Sequence, residues 1–113
     1  MKLKDISSSQ LRDVIEIIHY TDGVDGDNIP IKVENVLGMK RARVDVPSLR
    51  RQENLIALGI SVNKALMFVI RYFERFDTDN FKIRYKNKIY EIKGIENVEE
   101  RNLYFNILGE YKD

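Results

Sequence analysis

The stretch FKIRYKNKIYEIKGIENVEERNLYFNILGEY, residues 81–111, constrains this chain more than any other. Phe81, Ile83 and Tyr85 fall on one side, with Lys82 and Arg84 on the other. Side chains alternate across a strand, so this period of two predicts a half-buried β-strand. After Lys86 and Asn87, a second alternation sets Tyr90 and Ile92 against Glu91 and Lys93. Asn87 tolerates positive φ better than most residues, which suits a tight turn between antiparallel strands. Gly94 is expected to end the second strand, and the charged run 96–102 to form a loop. Leu103, Phe105 and Ile107 then resume the alternation, completing a three-stranded meander.

Upstream, residues 1–10 form a polar leader with three consecutive serines, expected to be partly mobile in an isolated subunit. Residues 11–20 read two ways. Leu11, Val14, Ile15 and Ile18 have helical spacing, with Ser9 as a cap, whereas the β-branched content of 14–20 fits a strand. Residues 21–30, TDGVDGDNIP, are expected to be a loop, a solvated hairpin tip carrying Asp22, Asp25 and Asp27. Its aspartates miss the alternate-position register of a calcium loop.

Ala42, Val44 and Val46 alternate with Arg41, Arg43 and Asp45, predicting another strand. Arg50 and Arg51 follow, so positive charge concentrates locally here, either as ordinary wet faces or as a patch for phosphate or an acidic neighbour. Pro47 and Ser48 open a short helix over 49–58. Ser48 is its N-cap, Arg50 and Glu53 lie on its polar face, and Gly59 stops it. Residues 62–76 again fit either a helical stripe or a strand. Apolar residues on both faces make the strand one buried on both sides. Residues 77–80 form a turn into the meander.

The chain has 113 residues, enough for one domain with a single core. No apolar run reaches the roughly 20 residues of a membrane span. It has no cysteine, which excludes disulfides and thiolate metal sites. A net charge of +1 argues against tight DNA binding, which demands an excess of Lys and Arg on one face. The single histidine, His19, lacks companions at metal-ligand spacing and is expected to be packed or at an edge. No nucleophile elbow, phosphate-binding glycine loop or His-Glu pair is present. The carboxylates sit in turns and on wet faces, away from apolar surroundings that would raise a pKa. No catalytic residue, metal or cofactor is expected, and the chain reads as a non-enzyme. Most aromatic residues fall on inward positions of the alternation and are expected in the core.

The order of these pieces resembles the phage head–tail joining family, the small connector or stopper proteins of long-tailed bacteriophages. LRDVIEIIHY is similar to that family's opening strand, RARVDV to its second, and MFVIRYFERFDTDN to a strand running into an Asp-containing turn. Glu53 and Ala57 match a Glu-then-Ala segment, and the hairpin and Glu-Arg-Asn loop complete a resemblance running from about Leu11 to Tyr111. The resemblance resolves residues 11–20 as strand.

It implies a mainly β fold with one short helix: a small antiparallel β-barrel or curled sandwich with long loops, spanning residues 11–113 after the leader. It also implies a virion protein made in the host cytoplasm, forming a ring of its own copies. A portal-adaptor protein would lie on the head side, a tail-completion protein on the tail side, with transient contact to packaged DNA. On charge, the excursion with Arg50, Arg51, Gln52, Glu53 and Gly59 is the candidate channel or gating loop. The acidic loop with Asp22, Asp25 and Asp27 is the candidate docking loop for a protein neighbour. Two other readings stand beside this. One is a small-barrel nucleic-acid-binding module using Lys82, Arg84, Lys86, Lys88 and Lys93; the other is a different phage ring component, an adaptor or tail-completion protein.

Overall fold

A computed structural model describes residues 1–112. In chain order the elements are β1 (Asp13–Val24), β2 (Pro30–Asp45), α1 (Leu49–Ala57), β3 (Ala65–Arg71), β4 (Phe81–Tyr85), β5 (Lys88–Asn97) and β6 (Tyr104–Tyr111). Short 3-10 turns occur at Leu3–Asp5, Ser8–Gln10, Val62–Lys64 and Val98–Glu100. The strands close into an antiparallel barrel in the order β1-β2-β3-β6-β5-β4.

The expected hairpin is present, with Ile83 opposite Tyr90 and Tyr85 opposite Lys88. Lys86 and Asn87 both take positive φ, the conformation that lets a two-residue turn follow the twist of its strands. Gly94 does not end β5, contrary to expectation. The register slips between Ile92 and Gly94, and the strand runs on to Asn97. This bulge keeps Ile95 on the inner face, where it packs against the core, although strict alternation would turn it out. Part of the expected loop 96–102 is therefore strand, and the rest is a 3-10 turn with positive φ at Glu99, Glu100 and Asn102. Leu103 lies outside β6 and is exposed; Phe105 and Ile107 are inward as expected. Val46 is likewise exposed, because β2 ends at Asp45.

Ile15, Ile17, Ala42, Phe68, Ile70, Ile83, Tyr90, Ile92, Phe105 and Ile107 fill the barrel. The interior is a packed core, so nothing passes through a single subunit. Phe73 and Phe76, from the segment after β3, stack against Phe81 and Phe105 and join the same core. β3 is the doubly buried strand that its composition predicts. The leader covers one part of its outer side, with Ile6 and Leu11 packed on Val69 and Val98. α1 and the segment after it cover another, with Leu55 and Ile60 against Met67 and Leu108. The leader is thus built into the body: Arg43 donates to the Asp5 carbonyl and to Gln10 Oε1, at 3.1 and 2.7 Å.

The largest departure concerns residues 21–30. β1 continues to Val24 and β2 begins at Pro30, so the loop shrinks to a tip between them. A cross-strand ion pair between Asp22 and Lys32 at 2.7 Å holds the extension, with Gly23 opposite Ile31. β4 pairs with β1 only as far as His19, and β3 meets β2 only from Ala42 onward. Between those limits β1 and β2 have only each other, forming an arm that leaves the barrel.

Candidate functional site

Two elements stand out from the barrel, the arm and the α1 excursion, and they are the two segments expected to carry function. β2 links them: the arm's tip precedes its first residue, and α1 begins four residues after its last. Sixteen strand residues at roughly 3.3 Å each span about 50 Å, and the molecule's long axis is 51 Å. Tip and helix therefore lie at opposite ends of the subunit.

At the tip, Asp25 Oδ1 accepts the backbone N–H groups of Asp27 and Ile29, at 2.8 and 3.0 Å. This local bonding shapes the turn, as short acidic side chains commonly do. Asp22 is engaged by Lys32, whose hydrogen bond holds its carboxyl below the usual range. Among the described residues, only Asp27 of these three offers a carboxylate without a hydrogen bond or ion pair. Val24 and Ile29 flank it, both exposed. The three aspartates are thus close in space but unequal in chemistry.

At the other end, Ser48 caps α1, its hydroxyl accepting the Arg51 N–H at 3.3 Å. Gly59 has φ 77°, and the chain closes the helix with Ile60 N–H on the Leu55 carbonyl and Gly59 N–H on that of Ile56. This left-handed ending explains the glycine. Gln52 donates to the Pro47 carbonyl at 2.9 Å, tying the first turn to the incoming chain. Glu53 and Arg50 are exposed, whereas Arg51 is half-buried. Arg50 and Arg51 occupy the first helical turn, which holds no acidic residue. Their charge adds to the positive end of the helix dipole, a placement that disfavours the helix and favours an anion.

Arg51 stands between two hollows. A hollow of about 540 Å³ runs beside α1, lined by Met1, Ser48, Arg50, Arg51, Asn54, Leu55, Leu58 and Leu108. A smaller one of about 300 Å³ is bounded by Arg51, Met67, Gly94, Ile95, Glu96, Asn106 and Leu108. Asn106 is buried, donates weakly to Glu96 Oε1 at 3.4 Å, and leaves its Oδ1 without a partner.

On the basic strand face, two of the five cations are paired with carboxylates. Arg84 is held by Glu16 and Glu34, both at 2.9 Å. Lys93 is paired with Glu91 and Glu110. Lys82, Lys86 and Lys88 lie over Tyr20, Tyr85 and Tyr111. The second basic cluster also divides. Arg43 is committed to Asp45 and the leader, leaving Arg41, Arg50 and Arg51 without a side-chain partner among the described residues. His19 is half-buried and stacks on Phe81 at 4.6 Å. Among the described residues no group of three or more His, Cys, Asp or Glu is placed to hold a metal, and no helix is long and apolar enough to cross a membrane.

Sequence reasoning missed the hollows and the burial of Glu110, which accepts the Ser61 N–H at 2.7 Å. The Leu-Gly-Glu alternation of β6 gave no sign that α1 covers its outer face.

Comparison with known proteins fits this architecture. A solution structure of protein SF1141 from Shigella flexneri 2a superposes with a TM-score of 0.69 at 16% identity, covering 94% of this chain and 96% of that one. A chain from the virion of a native gene transfer agent particle superposes with a TM-score of 0.59 at 13% identity, covering 88% and 93%. At such identities these likenesses establish the fold. The curated proteins contain no match. The family description of the phage head completion protein matches residues 6–110, nearly the whole chain. The chain therefore belongs to the phage head completion protein family, and its role is structural, as a component of the virion.

Proposed function

We propose that this protein is a head–tail connector or stopper. Its copies form a ring between a portal-adaptor protein on the head side and a tail-completion protein on the tail side. The ring retains packaged DNA and lets it pass at ejection. The observation that carries this reading is a family match spanning residues 6–110. The geometry is compatible with it: the barrel is filled, so a channel can form only between subunits, and each subunit has a long excursion at either end.

In this reading the α1 excursion faces the channel. Near-neutral charge and a few exposed arginines suit a lumen that holds DNA without gripping it, since strong phosphate pairing would resist ejection. Arg50 and Arg51 meet phosphate in passing, Glu53 limits how tightly, and Gly59 serves as the hinge if the excursion moves. Heterologous contacts, each subunit offering two different patches, are what close such a ring. The arm, with Asp22, Asp25 and Asp27, then faces a protein neighbour.

The test is a phage or prophage in which this gene is interrupted. Filled heads without tails, or heads that lose DNA, rescued by the wild-type gene, are expected. Normal infectious particles from the interrupted strain would refute the reading.

A further inference from the structure

We infer that the acidic tip of the arm docks into the hollow beside α1 of a second copy, with Asp27 meeting Arg51. The inference rests on the ring reading above and names the two patches that such a ring would join.

Three observations converge. The first is charge. Asp27 is the tip's unengaged carboxylate, and Arg51 is a half-buried residue without a side-chain partner among the described residues. Its position in the first turn of α1 raises the local positive potential further. Half-burial matters, because a pair formed there is less screened than one on an open surface.

The second observation is shape and polarity. The tip presents Val24 and Ile29 on either side of its acid, 62% and 56% exposed. In the hollow, Leu55 and Leu108 are buried in the floor, and Leu58, 74% exposed, supplies the apolar surface beside the arginines. Apolar surface left in water on both pieces is removed when one covers the other.

The third is distance. Tip and hollow lie at opposite ends of β2, about 50 Å apart by its length, so a subunit cannot fill its own hollow. The contact is intermolecular and head-to-tail. It takes Arg51 out of the channel role proposed above and leaves that role to Arg50, the more exposed of the pair.

The chain has no cysteine, so contacts can be trapped by placing two. Gly26→Cys puts a thiol at the tip, where an added Cβ meets nothing within 4 Å. Asn54→Cys puts one on the exposed wall of the hollow. Full-length single-cysteine chains carrying tags of different size are mixed at high concentration and oxidised. The 26–54 product should exceed both the 26–26 and the 54–54 products. Adding Arg51→Glu to the Asn54→Cys chain should lower its yield about tenfold, the effect of one such pair at an interface. Adding Asp27→Lys to the other chain should restore it. Melting temperatures close to wild type show that each variant is folded. Products in statistical ratio, or a yield indifferent to Arg51→Glu, would overturn the inference. A particle that needs the protein while its subunits fail to trap would sink the groove assignment alone, leaving the connector reading intact.

Discussion

Gly109 lies flat against the Phe68 ring, so close that a Cβ there would stand 2.9 Å from Phe68 Cε2 and 3.2 Å from Tyr90 Cβ. Phe68 is fully buried and cannot swing aside. Gly109→Ala should therefore overpack the barrel and cost about 1–3 kcal/mol. Chemical denaturation should show a lower midpoint with an unchanged slope. A midpoint equal to wild type would mean that the ring has room to move.

The meander's register is tested by a charge. Ile92 is buried in the barrel core beside Tyr90 and Ile83. An unpaired carboxylate there costs several kcal/mol, comparable with the roughly 5–15 kcal/mol stability of a whole domain. Ile92→Asp should abolish cooperative melting and drive the protein into inclusion bodies. A soluble variant with wild-type melting would contradict the register.

Glu110 ties the end of the α1 excursion to the barrel. The Ser61 N–H keeps its carboxyl below the ordinary value of 4.5 despite burial, with Lys112 and Lys93 adding to the effect. A carboxylate with a depressed folded pKa stabilises above its unfolded pKa and loses that contribution as pH falls through the folded value. Acidification below about pH 4.5 should therefore weaken this anchor. Glu110→Gln should cost about 1.5–3 kcal/mol at neutral pH and flatten the acid limb of a stability–pH curve. An acid limb identical to wild type would place the sensitive group elsewhere.

Replacing Arg50 and Arg51 together with alanine should leave the subunit folded. Surface changes usually stay within about 0.5 kcal/mol, and alanine suits a helix while removing charge from its positive end. DNA retention or tail joining should fall instead. Wild-type titres from particles carrying the double variant would remove both residues from the mechanism.

How much of this was legible beforehand depended on burial. The 81–93 hairpin could be read because one face of each strand is buried and Asn87 fits the turn. α1 could be read because Ser48 and Gly59 cap it through local hydrogen bonds. The arm could not. Its outer part is largely exposed, so Asp22, Gly23 and Val24 show no inward pattern, and a pairing to Lys32, ten residues away, sets its register. Gly94 misled because a bulge, rather than a strand end, was using it. At the candidate site, the arginine pair was visible in sequence, but the difference between Arg50 and Arg51 depends on where Leu108 and Asn106 sit, half a chain later.

The barrel's wall is uneven in a way that matters mechanically. β1 and β2 share twelve register pairs, whereas β2 and β3 share four, from Ala42–Ile70 to Asp45–Met67, as few as β1 with β4 and β4 with β5. That short seam is bridged by the very excursion that carries α1. A pull on α1 is thus delivered to one of the barrel's short seams rather than to the seven-pair seams on either side of β6. Tension applied at that end would meet this joint first, with five other seams left to hold the barrel closed.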